Sequence, residues 1–379
     1  MSTTNQLLKP YENHLTKPQF SHFSNFIEAL TVCEKPSINR FSNIFTSDRS
    51  TMNRFLTESP WDINPLKEIY HKQIFNIPDE NSFLLIDDTL SRRPYAKKVE
   101  KANYHYDHTN NKQSLGYCIV TSVISWKNNV LPYNIIPYYR KIDCKKDEFI
   151  SKNEITKNII LSTKNNYNIN TILFEKQESN KIVIGSCKEA NKHYITQIKS
   201  NRNVTINNQK NAVRSFVKNI DKWDKINYKD DKFRFFSTSA FISKIGSIHL
   251  VFSQMFNKKT KKWGDTFYII SNQLNIESAQ IIKDYLRRGG IESFHREAKQ
   301  NTGLEGYFLR NNRGIERYLF LVMLTYAFLV LHGIKNEKLS IGEQCELEKI
   351  ALFERTFDLI SQKPELKKEV FRNLAKARV

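Results

Sequence analysis

At Asn81 the chain changes its period, and that change limits the fold more than any other feature of the sequence. Before it, apolar residues recur every three or four positions. After it come short apolar runs bounded by polar pairs. Phe83-Leu-Leu-Ile86, set between Asn-Ser and Asp-Asp, has the length and flanks of a buried strand. Two more strands are read over 117–126 and 130–139, joined across Lys127-Asn-Asn. The Tyr104-His-Tyr-Asp-His108 segment reads as a connecting hairpin, with His105, Asp107 and His108 either metal ligands or, more simply, polar loop residues. A helix over 152–162, a strand over 171–174, a helix over 183–191 and a strand over 193–198 follow. This order predicts an α/β fold around a mixed sheet with helices on both faces.

The flanks have other patterns. Pro18-Gln-Phe20-Ser-His-Phe23-Ser-Asn-Phe26-Ile27 has helical spacing, and a second short helix can follow Pro36. A third, capped by Ser47 or Asp48, ends before Pro60. Two short helices with a tight turn are either a helix-turn-helix or part of a plain bundle. The first reading makes Arg49, Asn53 and Arg54 candidate DNA contacts. From 201 to 262 the chain is polar and basic with strand-like alternation, read as a β-rich insertion, and an apolar strand returns at 266–271. The apolar run 318–334 has 17 residues between Arg317 and Lys335. A membrane span usually needs about 20, so a buried helix packed on the sheet is expected, with no membrane partner. The charged remainder reads as a peripheral helical tail. The expected units are an N-terminal helical DNA-binding domain (1–78), a first core part (79–200), the insertion (201–264), a second core part (265–334) and the tail (335–379).

A formal net charge of +20, from 59 Lys and Arg against 39 Asp and Glu, points to a polyanionic partner, most simply nucleic acid. Five scattered cysteines without a CxxC pair argue for a reducing compartment. No cationic start followed by an apolar core is visible at the N-terminus. The expected location is a bacterial-type cytoplasm, in association with the nucleoid.

Metal-dependent phosphoryl transfer uses carboxylates that hold two cations about 4 Å apart. Asp87 and Asp88 end the first core strand, Glu175 ends a later one, and Glu292 sits on a helix. Tyr285, Arg288, Glu292 and Lys299 are spaced 3, 4 and 7 apart. On one continuous helix they span roughly 60° of a single face. That face is either a solvated stripe or a phosphate-holding surface beside a metal-bound carboxylate.

These blocks carry a resemblance. The chain looks like the insertion-sequence DDE transposases with a Tyr-x2-Arg-x3-Glu-x6-Lys signature, which Tyr285, Arg288, Glu292 and Lys299 match without a gap. Leu85-Ile-Asp-Asp88-Thr89 is similar to the family's first catalytic motif, in which the aspartate before Thr is catalytic, here Asp88. Further similar blocks surround Phe20 and Phe23, Arg54 to Asp62, Phe149 to Glu154, and Tyr194 to Arg202. The resemblance implies an RNase H-like core interrupted by a β insertion before the last acid. It implies Asp88, Glu175 and Glu292 as catalytic metal ligands for two Mg²⁺ or Mn²⁺ ions. Tyr285, Arg288 and Lys299 would hold DNA phosphates. Trp263 would stack on an extruded base, or it is simply part of the insertion's surface or core. The implied partners are terminal inverted repeats, target DNA and a second copy of the chain. Two positions depart from the family pattern. Glu175 stands where the family has Asp, and Gly289-Gly290 follows Arg288 where a Trp is usual. A decayed or repurposed transposase that only binds DNA is the alternative expectation.

Overall fold

The structure is a computed structural model and describes residues 3–45, 48–79, 81–96, 98–107, 110–176, 179–307, 309–335, 339–377 and 379. His108 and Ser47, named above as a metal-ligand and a capping candidate, lie outside the described residues.

Five helices open the chain: α1 (Thr3–Leu8), α2 (Lys17–Val32), α3 (Ile38–Ile44), α4 (Arg49–Thr57) and α5 (Ile63–Ile74). Their starts follow from local chemistry. Ser37 accepts from the Arg40 amide, Asp48 from the Thr51 amide and Asp62 from the Asn64 amide, each satisfying an otherwise orphaned donor. The core follows as β1 (Ser82–Arg92), β2 (Asn103–Asp107), β3 (Lys112–Trp126), β4 (Asn129–Tyr138), α6 (Lys152–Ser162), β5 (Ile169–Phe174), α7 (Lys181–Glu189) and β6 (His193–Gln197). β1, β3 and β4 pair antiparallel, while β5 joins β1 in parallel and β6 joins β5 in parallel. That mixed α/β arrangement is consistent with an RNase H-like core.

The basic stretch after β6 is indeed strand-rich: β7 (Asn203–Ile206), β8 (Gln209–Ala212), β9 (Asp224–Tyr228), β10 (Asp231–Ile242), β11 (Gly246–Asn257) and β12 (Lys262–Ser271). It continues the core sheet. β12 pairs with both β11 and β6, so one sheet of 12 strands runs through core and insertion, and the boundary expected at 264 falls inside β12.

The helices after the sheet are α8 (Ser278–Leu286), α9 (Gly289–Asn301), α10 (Asn312–Lys335), α11 (Ile341–Gln362) and α12 (Lys367–Ala377). The apolar run is longer than read from sequence. α10 has 24 residues, enough to cross a membrane by length and composition, but most of it is buried inside the fold. Its buried Arg317 donates to the carbonyls of Phe55 (3.3 Å), Leu56 (2.9 Å), Ser59 (2.8 Å) and Trp61, and lies 4.2 Å over the Trp61 ring. A helix C-terminus leaves its last carbonyls unsatisfied, and one guanidinium here ties the end of α4 to the central helix. The C-terminal segment is less peripheral than expected. Leu352 and Leu374 pack with Val32, Arg355 pairs with Glu28, and α12 rests on α3.

Candidate active site

β1 does not end at its acids, as expected from the sequence, but runs on to Arg92, paired with β3 throughout. Leu84, Leu85 and Ile86 are buried, and Asp87 and Asp88 follow. In parallel register Ile86 stands beside Phe174, so Asp87 and Glu175 are the next residues on neighbouring strands. Successive strand residues point to opposite faces, and the contacts divide accordingly. Asp87 meets Arg288, and its cross-strand neighbour Thr121 bonds His295 of α9 at 2.6 Å. Asp88 points towards α6, where Lys152 Nζ lies 2.5 Å from its Oδ2. A capping box between Ser151 and Glu154 starts α6 and sets Lys152 in its first turn. Lys152 also lies 5.3 Å over the Tyr138 ring.

Arg288 is the hub. Its Nη2 lies 2.6 Å from Glu175 Oε1 and 3.2 Å from Asp87 Oδ2, and its Nη1 lies 3.4 Å from the Tyr285 hydroxyl. Two carboxylates therefore share one guanidinium. Burial and the Glu175 charge push the Asp87 carboxyl up to about 7, outweighing the opposite pull of Arg288. Burial acts against the Arg288 charge in turn, but Asp87, Tyr285 and Glu175 outweigh it and hold the guanidinium above its ordinary range. Burial also disfavours the charge on Lys152, and here Cys118 and Asp88 prevail and raise it. His295 is pushed down to about 3 by burial and by Lys299, so its ring is neutral.

The helix expected to carry Tyr285, Arg288, Glu292 and Lys299 is broken in two. α8 stops at Leu286 and α9 starts at Gly289. Between them the amides of Arg288, Gly290 and Ile291 bond three residues back, to Tyr285, Arg287 and Arg288. Such turns advance about 120° per residue instead of about 100°, so the four residues do not keep the single face read from their spacing. The two glycines differ. A Cβ on Gly290 would lie 3.1 Å from Val130 Cγ2 and 3.4 Å from Leu85 Cδ1, whereas one on Gly289 would meet nothing within 4 Å. Gly290 is thus where α9 comes down onto the sheet.

The structure brings Asp87, Glu175, Arg288 and Tyr285 together. Glu292 is exposed in the first turn of α9. It lies near enough to Tyr285 that it and Glu175 help burial raise the phenol's pKa against Arg288. Lys299 stands further along, with its Nζ 3.1 Å from the Leu90 carbonyl and 3.0 Å from Glu305. Arg49, Asn53 and Arg54 lie on α4. Arg49 and Asn53 line a groove of about 990 Å³ together with Asn39, Arg310 and Asn311. Trp263 has Arg234 4.9 Å over its ring and Phe256 at its edge, and Arg234 also covers Trp223. Asp107 binds Arg92 at 2.6 Å, and His105 lies edge-on to Tyr138 and is lowered to about 4 by burial and by Lys152. Sequence reasoning gave no role to Lys152 or His295. The Ser151-x-x-Glu154 box could have placed Lys152 at a helix start, but nothing local pointed it at Asp88.

The family model of the DDE superfamily endonucleases matches residues 28–135, a span that includes Asp87 and Asp88. This supports a DDE-family transposase or endonuclease. No curated protein matches the chain. DDE-type endonucleases generally use divalent ions. The donor chemistry here suits them, because hard cations take carboxylate oxygens and Asp87, Asp88, Glu175 and Glu292 supply them. The placement is less complete. Among the described residues, no three His, Cys, Asp or Glu side chains converge closely enough to hold a metal. Asp87 and Glu175 are engaged by Arg288, and Asp88 by Lys152.

Proposed function

We propose that this chain is a DNA transposase of an insertion sequence, which binds terminal inverted repeats as a homodimer and cleaves and joins DNA strands. The observation that carries the reading is that Asp87, in the acidic pair midway along β1, and Glu175, just past the end of the parallel strand β5, stand side by side and both pair with Arg288. Asp88, Glu175 and Glu292 would hold Mg²⁺ or Mn²⁺ once Asp88 leaves Lys152 and turns towards the side of Glu175. Bound ions of this kind supply activation of the attacking hydroxyl and stabilisation of the leaving oxygen.

The chain's own residues orient the substrate. Arg288 offers a planar donor fork matched to a phosphate. Tyr285, bonded to Arg288, adds a hydroxyl at the same point, and Lys299 adds a cation further along α9. Arg49, Asn53 and Arg54 would grip the duplex away from the cut, and the net charge of +20 favours a long footprint on DNA. Trp263 would serve as a stacking surface only after Arg234 moves off its ring.

A second reading, a DNA-binding protein that no longer cleaves, is favoured by one observation: Glu175 stands where the resembling family has Asp. An extra methylene shifts a carboxylate by over about 1 Å, and misplacements of that size cost about 10²-fold in rate. The test uses duplexes carrying the DNA that flanks the gene. The transposase reading expects salt-sensitive binding that prefers those ends over scrambled DNA, with nicks at the element boundary in Mn²⁺. Preferential binding with nicks appearing only in Glu175→Asp supports the decayed reading. Equal binding to scrambled DNA rejects both.

A further inference from the structure

The α9 side of the sheet carries further cations past the acids. Alternate residues of a strand share a face. On this one Asp87 meets Arg288, Ser91 Oγ accepts from the Tyr307 hydroxyl at 3.0 Å, and the Arg93 guanidinium lies 3.7 Å over the Tyr307 ring. Lys299 reaches from α9 to the Leu90 carbonyl. Arg288, Lys299 and Arg93 therefore follow one another along β1, over about 20 Å from Asp87 at about 3.3 Å per residue. The chain then turns. The Arg93 amide still donates to the Leu115 carbonyl at 2.7 Å, and the Ala96 amide donates back to the Arg93 carbonyl at 3.0 Å, with Pro94 at the second position of the turn. Arg93 Nη1 donates to the Glu305 carbonyl at 2.8 Å, which fixes the root of the turn. At its tip stands Tyr95, 92% exposed.

A single exposed aromatic is ordinary on a protein surface. This one differs in its mounting. Pro94 fixes the backbone before it, Tyr307 and Glu305 clamp the root, and Lys98 stands exposed just after it. The Nε–Nη2 edge of the neighbouring Arg92 grips both oxygens of Asp107, at 2.6 and 3.1 Å. The same edge of Arg93 is buried without a hydrogen-bond partner, so no acceptor on that edge offsets the charge at the root. A rigid aromatic on a cationic root is what a single nucleic-acid strand needs: bases stack on the ring and phosphates follow the cations. We infer that Tyr95 is a nucleobase-stacking residue, taking the face of an unpaired base in a DNA strand whose phosphates follow Arg288, Lys299 and Arg93. The inference rests on the DNA-nuclease reading and adds a feature of the substrate: nucleotides outside the duplex about six steps from the acids, at about 3.4 Å per nucleotide. A base inside a duplex hides both faces in the stack, so only an unpaired or terminal one fits. Every base has such a face, so the contact carries little sequence preference. Trp263, by contrast, has its ring covered by Arg234.

The experiment compares a blunt duplex with the same duplex carrying a single-stranded extension, by fluorescence anisotropy on the full chain in EDTA, where binding is read without cleavage. Wild type is expected to bind the extended duplex more tightly. Tyr95→Ala should weaken that binding by about fivefold or more and leave the blunt duplex unchanged, while Tyr95→Phe keeps the wild-type affinity. A 2-aminopurine scanned along the extension reports stacking directly: its emission should fall on binding wild type at one or two positions and hold steady with Tyr95→Ala. Lys98→Gln should lower the salt slope for the extended duplex by about 0.7. Equal affinity of wild type and Tyr95→Ala for the extended duplex, with the same 2-aminopurine quench, overturns the stacking role and leaves the nuclease reading standing. An equal loss on the blunt duplex also overturns it, because the contact is then to paired DNA. If neither DNA binds at any salt concentration, the nuclease reading falls and the stacking role falls with it.

Discussion

Replacing Arg288 with Gln should destabilise the protein strongly at pH 8 and weakly at pH 5. The substitution removes two ion pairs at once and leaves Asp87 and Glu175 side by side. Their side chains are 13% and 33% exposed, so solvent compensates Glu175 in part and Asp87 hardly at all. Removing one partner of a buried pair costs about 3–5 kcal/mol. With Glu175 half relieved by water, roughly 2–4 kcal/mol is expected at pH 8. The pH dependence follows from Asp87, whose carboxyl is raised to about 7 by burial and by Glu175. A carboxyl raised above its unfolded value contributes stability that is present below the unfolded pKa and is lost as pH rises through the folded one. Wild type should therefore lose stability between about pH 4 and 7, by up to about 4 kcal/mol at about 1.4 kcal/mol per pH unit. Without Arg288, Asp87 takes a proton at still higher pH. At pH 5 both proteins hold Asp87 neutral, and the difference between them shrinks to the Glu175 pair, about 1 kcal/mol. Urea unfolding at the two pH values, followed by tryptophan fluorescence, measures this. An equal loss at pH 5 and pH 8 would refute the idea that Asp87 ionisation is what Arg288 balances.

Three further outcomes follow from named contacts. Gly289→Ala should stabilise by up to about 1 kcal/mol through helix propensity. Gly290→Ala should gain less or lose stability, because its Cβ would press on Val130 at 3.1 Å; a thermal-shift comparison in which 290 outperforms 289 contradicts this packing. Arg317→Met should cost about 3 kcal/mol or more by stranding buried carbonyls at the end of α4, and limited proteolysis should then cut near residues 57–63 before the core; an unchanged cleavage pattern counts against the rivet. Lys299→Met should change stability by under about 1 kcal/mol, since its ion pair with Glu305 is about one-third exposed. Its duplex binding should weaken and become less salt-dependent, and an unaltered salt slope removes Lys299 from the DNA contacts.

Much of the core was legible in sequence because β1 and β5 each begin with or contain a short apolar run, Phe83 to Ile86 and Ile172 to Phe174, next to polar residues. Phe83 to Ile86 announces β1, but the acids that follow read as its end, whereas pairing with β3 carries the strand on to Arg92. The interrupted helix was harder to foresee. Gly289-Gly290 marked a weak point, but the packing of Gly290 against Val130 and Leu85, 160 and 205 positions away in the chain, is written in no local pattern. Sheet continuity through the insertion depends on β12 pairing with β6, a contact between distant segments that no local pattern encodes. Arg317 looked like the polar flank of an apolar run, and only the fold shows it satisfying the end of α4. The same holds for Lys152, whose partner Asp88 lies 64 residues away.

The most direct test of the proposed centre is nicking of supercoiled plasmid in Mn²⁺ by wild type, Asp88→Asn, Glu175→Asp and Glu292→Gln, each purified identically. We expect nicking by wild type, an equal or faster rate for Glu175→Asp, and losses of about 100-fold or more in Asp88→Asn and Glu292→Gln, in line with small displacements of catalytic groups costing about that much. Nicking that persists in Asp88→Asn and Glu292→Gln, or its absence from both wild type and Glu175→Asp, would contradict the assignment of these carboxylates to DNA cleavage.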